Sequence, residues 1–211
     1  MKGRELFVKA LDLSLRKTGF YAFLFKGVSK NSQKKVEYPL QLKESMNGVL
    51  PVSGGLLAEN FVFGKVLPAS DVSSMAQSDI PFWKASWRGF DPKDYWEIAR
   101  GWQWLPALLG AKDATKQQLV LDKISEWLEK TPCPNGLAWA VGLDVAIRAV
   151  NLLMVFSVSG DQRLASHLST HLGYLRRMLW LSRYAIRNNH YLGELTAIAL
   201  LSRALGETGA K

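Results

Sequence analysis

The sequence has one cysteine, Cys133, in 211 residues. A lone thiol excludes an internal disulfide framework and any zinc site built on cysteines. Histidines number three. His167 and His171 stand four apart, a spacing that can hold a metal on a helix face. No third ligand accompanies them and no HExxH-type acid is present, so neither a metal nor another cofactor is expected. A Gly-rich phosphate loop is missing, as is a GxSxG nucleophile turn. The uninterrupted apolar run Phe20–Phe25 is too short to cross a bilayer, and no small-residue cleavage site follows it closely. Stable membrane insertion and a clear signal peptide are therefore not expected, which leaves the compartment open.

Acidic residues are the scarcer charge. Eighteen Asp and Glu against 27 Lys and Arg give a net charge of +9. A basic surface attracts polyanions such as nucleic acid, anionic lipid or acidic polysaccharide, and it also serves solubility. No nucleic-acid module is recognisable, so no nucleic-acid partner is expected. What the chain has in quantity is apolar and aromatic: 48% hydrophobic residues and eight tryptophans. That suffices for a sizeable core. Tryptophan in surplus suits a core or a flat ligand such as a sugar ring.

Composition divides the chain near residue 90. The first 30 residues are basic and partly apolar and read as an amphipathic helix, with membrane-surface contact as the lesser alternative. Residues 30–90 are rich in Gly, Pro, Ser and Asn. They read as irregular or extended, with "KNSQKK" as a solvated loop and at most a short strand or two around "NFVFGKV". From Asp91 the pattern is helical. Asp91 is a cap, Pro92 the first helical residue and Asp94 an acid in the first turn. Pro106 is expected to kink or end that helix and Gly110 to close it. Further helices are expected over roughly 113–130, 142–159, 161–187 and 190–206. The second presents Leu121, Ile124 and Leu128 on one face, and "TPCPNG" after it is a turn. Short connections predict antiparallel αα-hairpins.

Two helices are expected to be two-faced. On the third, Leu143, Ile147, Val150, Met154 and Val158 form the buried stripe. Asp144, Arg148 and Asn151 form a polar one, with Asp144 and Arg148 as a surface ion pair. On the fourth, Leu172, Leu175, Leu179, Ser182 and Ile186 make a mostly apolar stripe. Arg176, Trp180, Arg183 and Arg187 line up beside it as a cationic face carrying one tryptophan. It is a solvated arginine face or a polyanion surface. That face leads into Asn188, Asn189 and His190, where an ordinary connection would use Gly, Ser or Pro. Asn189 as the cap of the fifth helix explains one of the three. A glycosidase would need a paired acid and base, and nothing marks two of Asp144, Glu97 and Glu194 as such a pair.

"YWEIARGWQWLPALLGAKD", "GLAWAVGLDVAIRAVNLLMVFSVSGD" and "RNNHYLGELTAIALL" follow one another in order. Together they resemble consecutive blocks of the heparinase II/III-like polysaccharide lyases, a group that includes heparinase III and related alginate lyases. The similarity covers roughly residues 83–206. It implies a mainly α fold: αα-hairpins over 91–211 forming part of an incomplete α/α toroid, after an irregular N-terminal segment over 1–90. A β-sandwich domain follows in the family and is not in this sequence. It also implies cleavage of uronate-containing acidic polysaccharide by β-elimination. In that chemistry donors must neutralise the uronate carboxylate before the neighbouring carbon gives up its proton. Carried over, Asn189 neutralises the carboxylate, and His190 is a second donor or the base. Asn188, Arg148 and Asn151 contact substrate or brace the site. Trp139 stacks on a sugar, and Trp180, Arg183 and Arg187 attract the polyanion. The family's tyrosine base has no counterpart before Lys211, so a truncated, inactive piece of a lyase is expected. Its open toroid edge would favour self-association. The alternative is a non-catalytic helical module that binds acidic glycan or serves polysaccharide assembly. Localisation in the family is often periplasmic or secreted.

Overall fold

Gly19 sits at φ 73°, in the left-handed region, and divides the N-terminal segment into α1 (Lys2–Lys17) and α2 (Phe20–Leu24). One continuous helix was the sequence expectation. A residue with a Cβ is strained at that φ, so the chain turns there instead. The structure is a computed structural model that describes residues 2–26, 60–62, 65–67, 72, 75–186 and 188–206. Most of the 30–90 segment, the "KNSQKK" loop and Arg187 lie outside the described residues. Within "NFVFGKV", β1 (Asn60–Val62) pairs antiparallel with β2 (Lys65–Leu67), Asn60 opposite Leu67. The rest of the described chain is mainly helical.

Asp91 caps α3 (Pro92–Ala99), its side chain accepting the Lys93 N–H at 3.0 Å. The helix then stops at Gly101, φ 70°, rather than at Pro106. Pro106 falls in the first turn of the next helix, α4 (Trp104–Gly110), where its missing N–H has no helical partner to lose. Asp113 caps α5 (Ala114–Lys130) through the Lys116 N–H at 2.8 Å. The expected face of α5, Leu121, Ile124 and Leu128, is buried. The "TPCPNG" turn follows. Its Pro134 carbonyl accepts the Phe82 N–H and its Gly136 N–H donates to Ile80, which ties it to residues 80–82. Gly136 is required there, because a Cβ would stand 2.3 Å from the Ala76 carbonyl oxygen.

A 3-10 turn (Leu137–Trp139) leads into α6 (Gly142–Ser159), α7 (Arg163–Ala185) and α8 (Asn189–Ala204). Each of these three helices packs on the other two. Short connections fold them back on one another. On the flanks, α1 packs on α7, and α4 sits against α5 and α6. The aromatic cluster of Tyr21, Phe25, Phe82, Trp83 and Tyr174 joins the N-terminal helices to α7, with ring centroids 5.2–6.1 Å apart.

The inward face of α6 is not the one its pattern suggests. Asp144, Arg148 and Asn151 are buried together with Val145, Leu152, Val155 and Phe156. Leu143, Ile147, Val150, Met154 and Val158 are only partly buried. By length and mean hydropathy α6 is apolar enough to span a bilayer. Its buried charged face and its contacts with α7 and α8 show it in the role of central core helix.

Candidate functional site

The polar residues of α6 are turned inward because helix ends leave carbonyls that need donors. Arg148 is 0% exposed. Its Nη1 donates to the Ala99 carbonyl, at the end of α3, at 3.2 Å and to the Ala138 carbonyl at 2.9 Å. Its Nε donates to His171 Nε2 at 2.9 Å. His171 Nδ1 lies 2.7 Å from the His167 carbonyl, so the proton of a neutral ring belongs on Nδ1. Burial first, and then the Arg148 charge, hold His171 well below the usual imidazole range. Burial brings Arg148 itself down to about 10, which leaves it charged at neutral pH. Its guanidinium lies 4.8 Å from the Trp139 ring and 5.6 Å from Trp127, an arrangement that partly replaces lost water.

Asp144 and Asn151 are also buried. Asp144 takes the Arg100 Nε–H at 2.6 Å, and Arg100 also pairs with Glu97. Burial raises the Asp144 carboxyl despite that partner. Asn151 donates to the Arg100 carbonyl at 2.9 Å. The surface Asp144–Arg148 pair expected from spacing is therefore replaced by two separate buried arrangements. Trp139 is also a core residue. Its ring is covered by Arg148, His171 and Tyr174, and its Nε1–H goes to Thr131. At 3% exposure it offers only an edge to a smaller cavity of about 230 Å³ beside Cys133 and His167, so the stacking role expected of its ring face is corrected. Arg148 and Asn151 brace the fold.

An open cavity of about 450 Å³ lies between α1, α6, α7 and α8. Leu13, Met178, Leu181 and Ile186 give it apolar walls, and Trp87 and Trp96 an aromatic side. Trp87 is 47% exposed, whereas Trp96 is anchored by its Nε1–H on the Leu137 carbonyl at 3.0 Å. Its polar groups are Asp12, Arg16, Ser182, His190 and Glu194. Glu194 is 3% exposed and accepts a hydrogen bond from the Ser182 hydroxyl. Burial raises its carboxyl to about 7, more than the Ser182 bond lowers it. A Cβ on Gly142 would stand 2.4 Å from Glu194 Oε1, so the glycine lets α6 begin against that carboxyl. His190 and Glu194 are four apart on α8, one turn above the other on one face.

The residues expected to form one site fall into separate places. His190 lines the cavity. Asn188, not Asn189, caps α8, its side chain accepting the His190 N–H at 3.0 Å. Asn188 and Arg183 line a separate groove with Tyr191, Leu192 and Leu195. Asn189 is exposed and lines neither. A step of 100° per residue turns it away from the face that His190 shares with Glu194. On α7, Arg176 donates to Ser202 Oγ at 3.0 Å and Arg183 lies over the Tyr184 ring at 5.4 Å. Trp180 is half-buried against the core, so the cationic stripe is partly absorbed by packing.

The sequence reading left Glu194 without a partner and assigned Arg16, Trp87 and Trp96 to no site. The "HYLGE" spacing was the available signal for Glu194. Among the described residues no group of three or more metal-ligating side chains is present. Compared with family models, curated proteins and solved structures, the chain matches none.

Proposed function

We propose that this chain is the helical part of a polysaccharide lyase of the heparinase II/III type, and that its cavity receives one sugar of a uronate-containing polysaccharide. On this reading the hairpins α4/α5, α6/α7 and α7/α8 are a stretch of an α/α toroid. The observation that carries the proposal is the joint placement of His190 and Glu194 in a cavity with an aromatic side.

In β-elimination a base takes the proton from the carbon beside the uronate carboxylate. A carbon–carbon double bond forms, the bond to the glycosidic oxygen breaks, and that oxygen takes a proton. Among the described lining residues, His190 and a Glu194 carboxyl that titrates near neutrality are suited to move protons there. His190 is assigned as an acceptor or donor of the moving proton. Glu194 holds a proton beside the developing charge. Trp96 and Trp87 offer apolar faces to the sugar ring. Asn189, outside the lining, is assigned no step.

The test runs the full reading frame against alginate, heparan sulfate, hyaluronan and pectate, reading ultraviolet absorbance of the unsaturated uronate. One of the four is expected to give product, and His190→Ala to abolish it while circular dichroism stays unchanged. Turnover that survives His190→Ala removes the cavity from the reaction. The apolar lining and the exposed Trp87 also fit a second reading, a non-catalytic module for acidic glycan. Binding without product in the same panel selects it.

A further inference from the structure

We infer that the N-terminal helix is part of the ligand site, and that Arg16 on it is the cation that grips the acidic group of the bound sugar. The inference rests on the glycan reading above and adds to it a residue from a segment that carried no resemblance. Among the described residues that line the cavity, Arg16 is the one Lys or Arg. Asp12, Leu13 and Arg16 reach the lining from one face of α1, at spacings of one and three residues.

Arg16 is held from more than one side. Its Nε–H bonds Asp12 Oδ2 at 2.9 Å, and its guanidinium lies 5.8 Å from the Phe82 ring centroid. Asp12 Oδ1 in turn accepts the hydroxyl of Tyr21, a residue with 0% exposure. An i, i+4 pair by itself only stabilises a helix, and it does so equally well on the solvent side. Here the pair stands at a cavity wall, and a buried tyrosine hydroxyl is committed to it. The Asp12 bond runs from Nε and does not consume the terminal amino groups, the fork that pairs with a planar carboxylate. Asp12 serves as counter-ion while the cavity is empty, so no bare cation is left half-buried. Glu194, protonated below about 7, adds no repulsion toward an incoming anion in that range.

The chemistry recognised is a carboxylate or a sulfate on a sugar. Titration of the full chain, read by tryptophan fluorescence and calorimetry, separates the two. The probes are unsulfated oligouronate, a sulfated oligosaccharide lacking uronate, and a neutral oligosaccharide of equal length. Arg16→Gln is expected to weaken acidic binding about tenfold and to reduce its salt dependence, leaving neutral binding as it was. Asp12→Asn keeps the shape and releases the guanidinium, so it is expected to bind acidic sugar more tightly. A purely structural pair makes both variants bind alike and weakly, which overturns the inference. So does an Arg16→Gln variant that binds as the parent does. If Arg16→Gln does not fold, Asp12→Asn decides: tighter binding supports the inference, and equal or weaker binding overturns it. A parent chain that binds the sulfated probe through Arg16 but no uronate keeps the inference and sinks the uronate reading. A parent that ignores every acidic probe sinks both.

Discussion

Replacing Glu194 with glutamine removes an ionisation and keeps the shape of the side chain. In the folded chain burial lifts this carboxyl from its ordinary 4.5 to about 7. Between those values the native state holds a proton that the unfolded chain has released. The unfolded state binds fewer protons there, so stability falls as pH rises through that window and levels off above about 7. At about 1.4 kcal/mol per pH unit, the full penalty reaches at most about 3–4 kcal/mol. Glutamine carries no such penalty and can still accept the Ser182 hydroxyl. The difference in unfolding free energy, variant minus parent, is therefore expected to be near zero below pH 4.5. It should grow in favour of the variant to at most about 3–4 kcal/mol above pH 7. Urea unfolding followed by tryptophan fluorescence at closely spaced pH values measures it, and other titrating groups cancel in the difference. A difference that stays constant across this range refutes the account of Glu194 as a desolvated acid.

Two further substitutions test the frame. Arg148→Met leaves the Ala99 and Ala138 carbonyls and His171 Nε2 without a donor. Each orphaned group costs about 1–3 kcal/mol and the relief of a buried charge returns part of it, for an expected net loss of about 2–4 kcal/mol in urea melts. A neutral or stabilised variant would mean that the guanidinium is not the cap of those helix ends. Asn188→Ala should lower stability by about 1 kcal/mol, because the His190 N–H loses its acceptor, whereas Asn189→Ala stays within about 0.5 kcal/mol. The reverse order would return the cap to Asn189.

Local signals were readable and inward directions were not. Asp91 announced its helix through capping chemistry, and the face of α5 followed from its spacing. The break at Gly101 was hidden by Pro106, the louder residue, although a proline in a first turn does no harm. The orientation of α6 was misjudged because polar side chains are ordinarily put outside. What decided it was a set of carbonyls at the ends of other segments, Ala99, Arg100 and Ala138, whose need for donors is invisible until the segments meet. Of the candidate site, His190 was readable through the unusual "NNH". Glu194 needed the contact with Ser182 and Gly142 to stand out. Arg16 lies more than 150 residues from Ser182 in sequence and lines the same cavity, a proximity no local pattern carries.

The bond from Arg177 Nε to the Leu24 carbonyl, 3.0 Å long, joins residues 153 apart. During synthesis α1 and α2 leave the ribosome with no α7 to lie against. At about 5–20 residues per second the nascent chain carries them undocked for about 8–30 s. The wall that brings Arg16 to the cavity is thus among the last parts to close. A chaperone-depleted translation system should release this protein with its amino-terminal helices still open to protease while α5 is already protected.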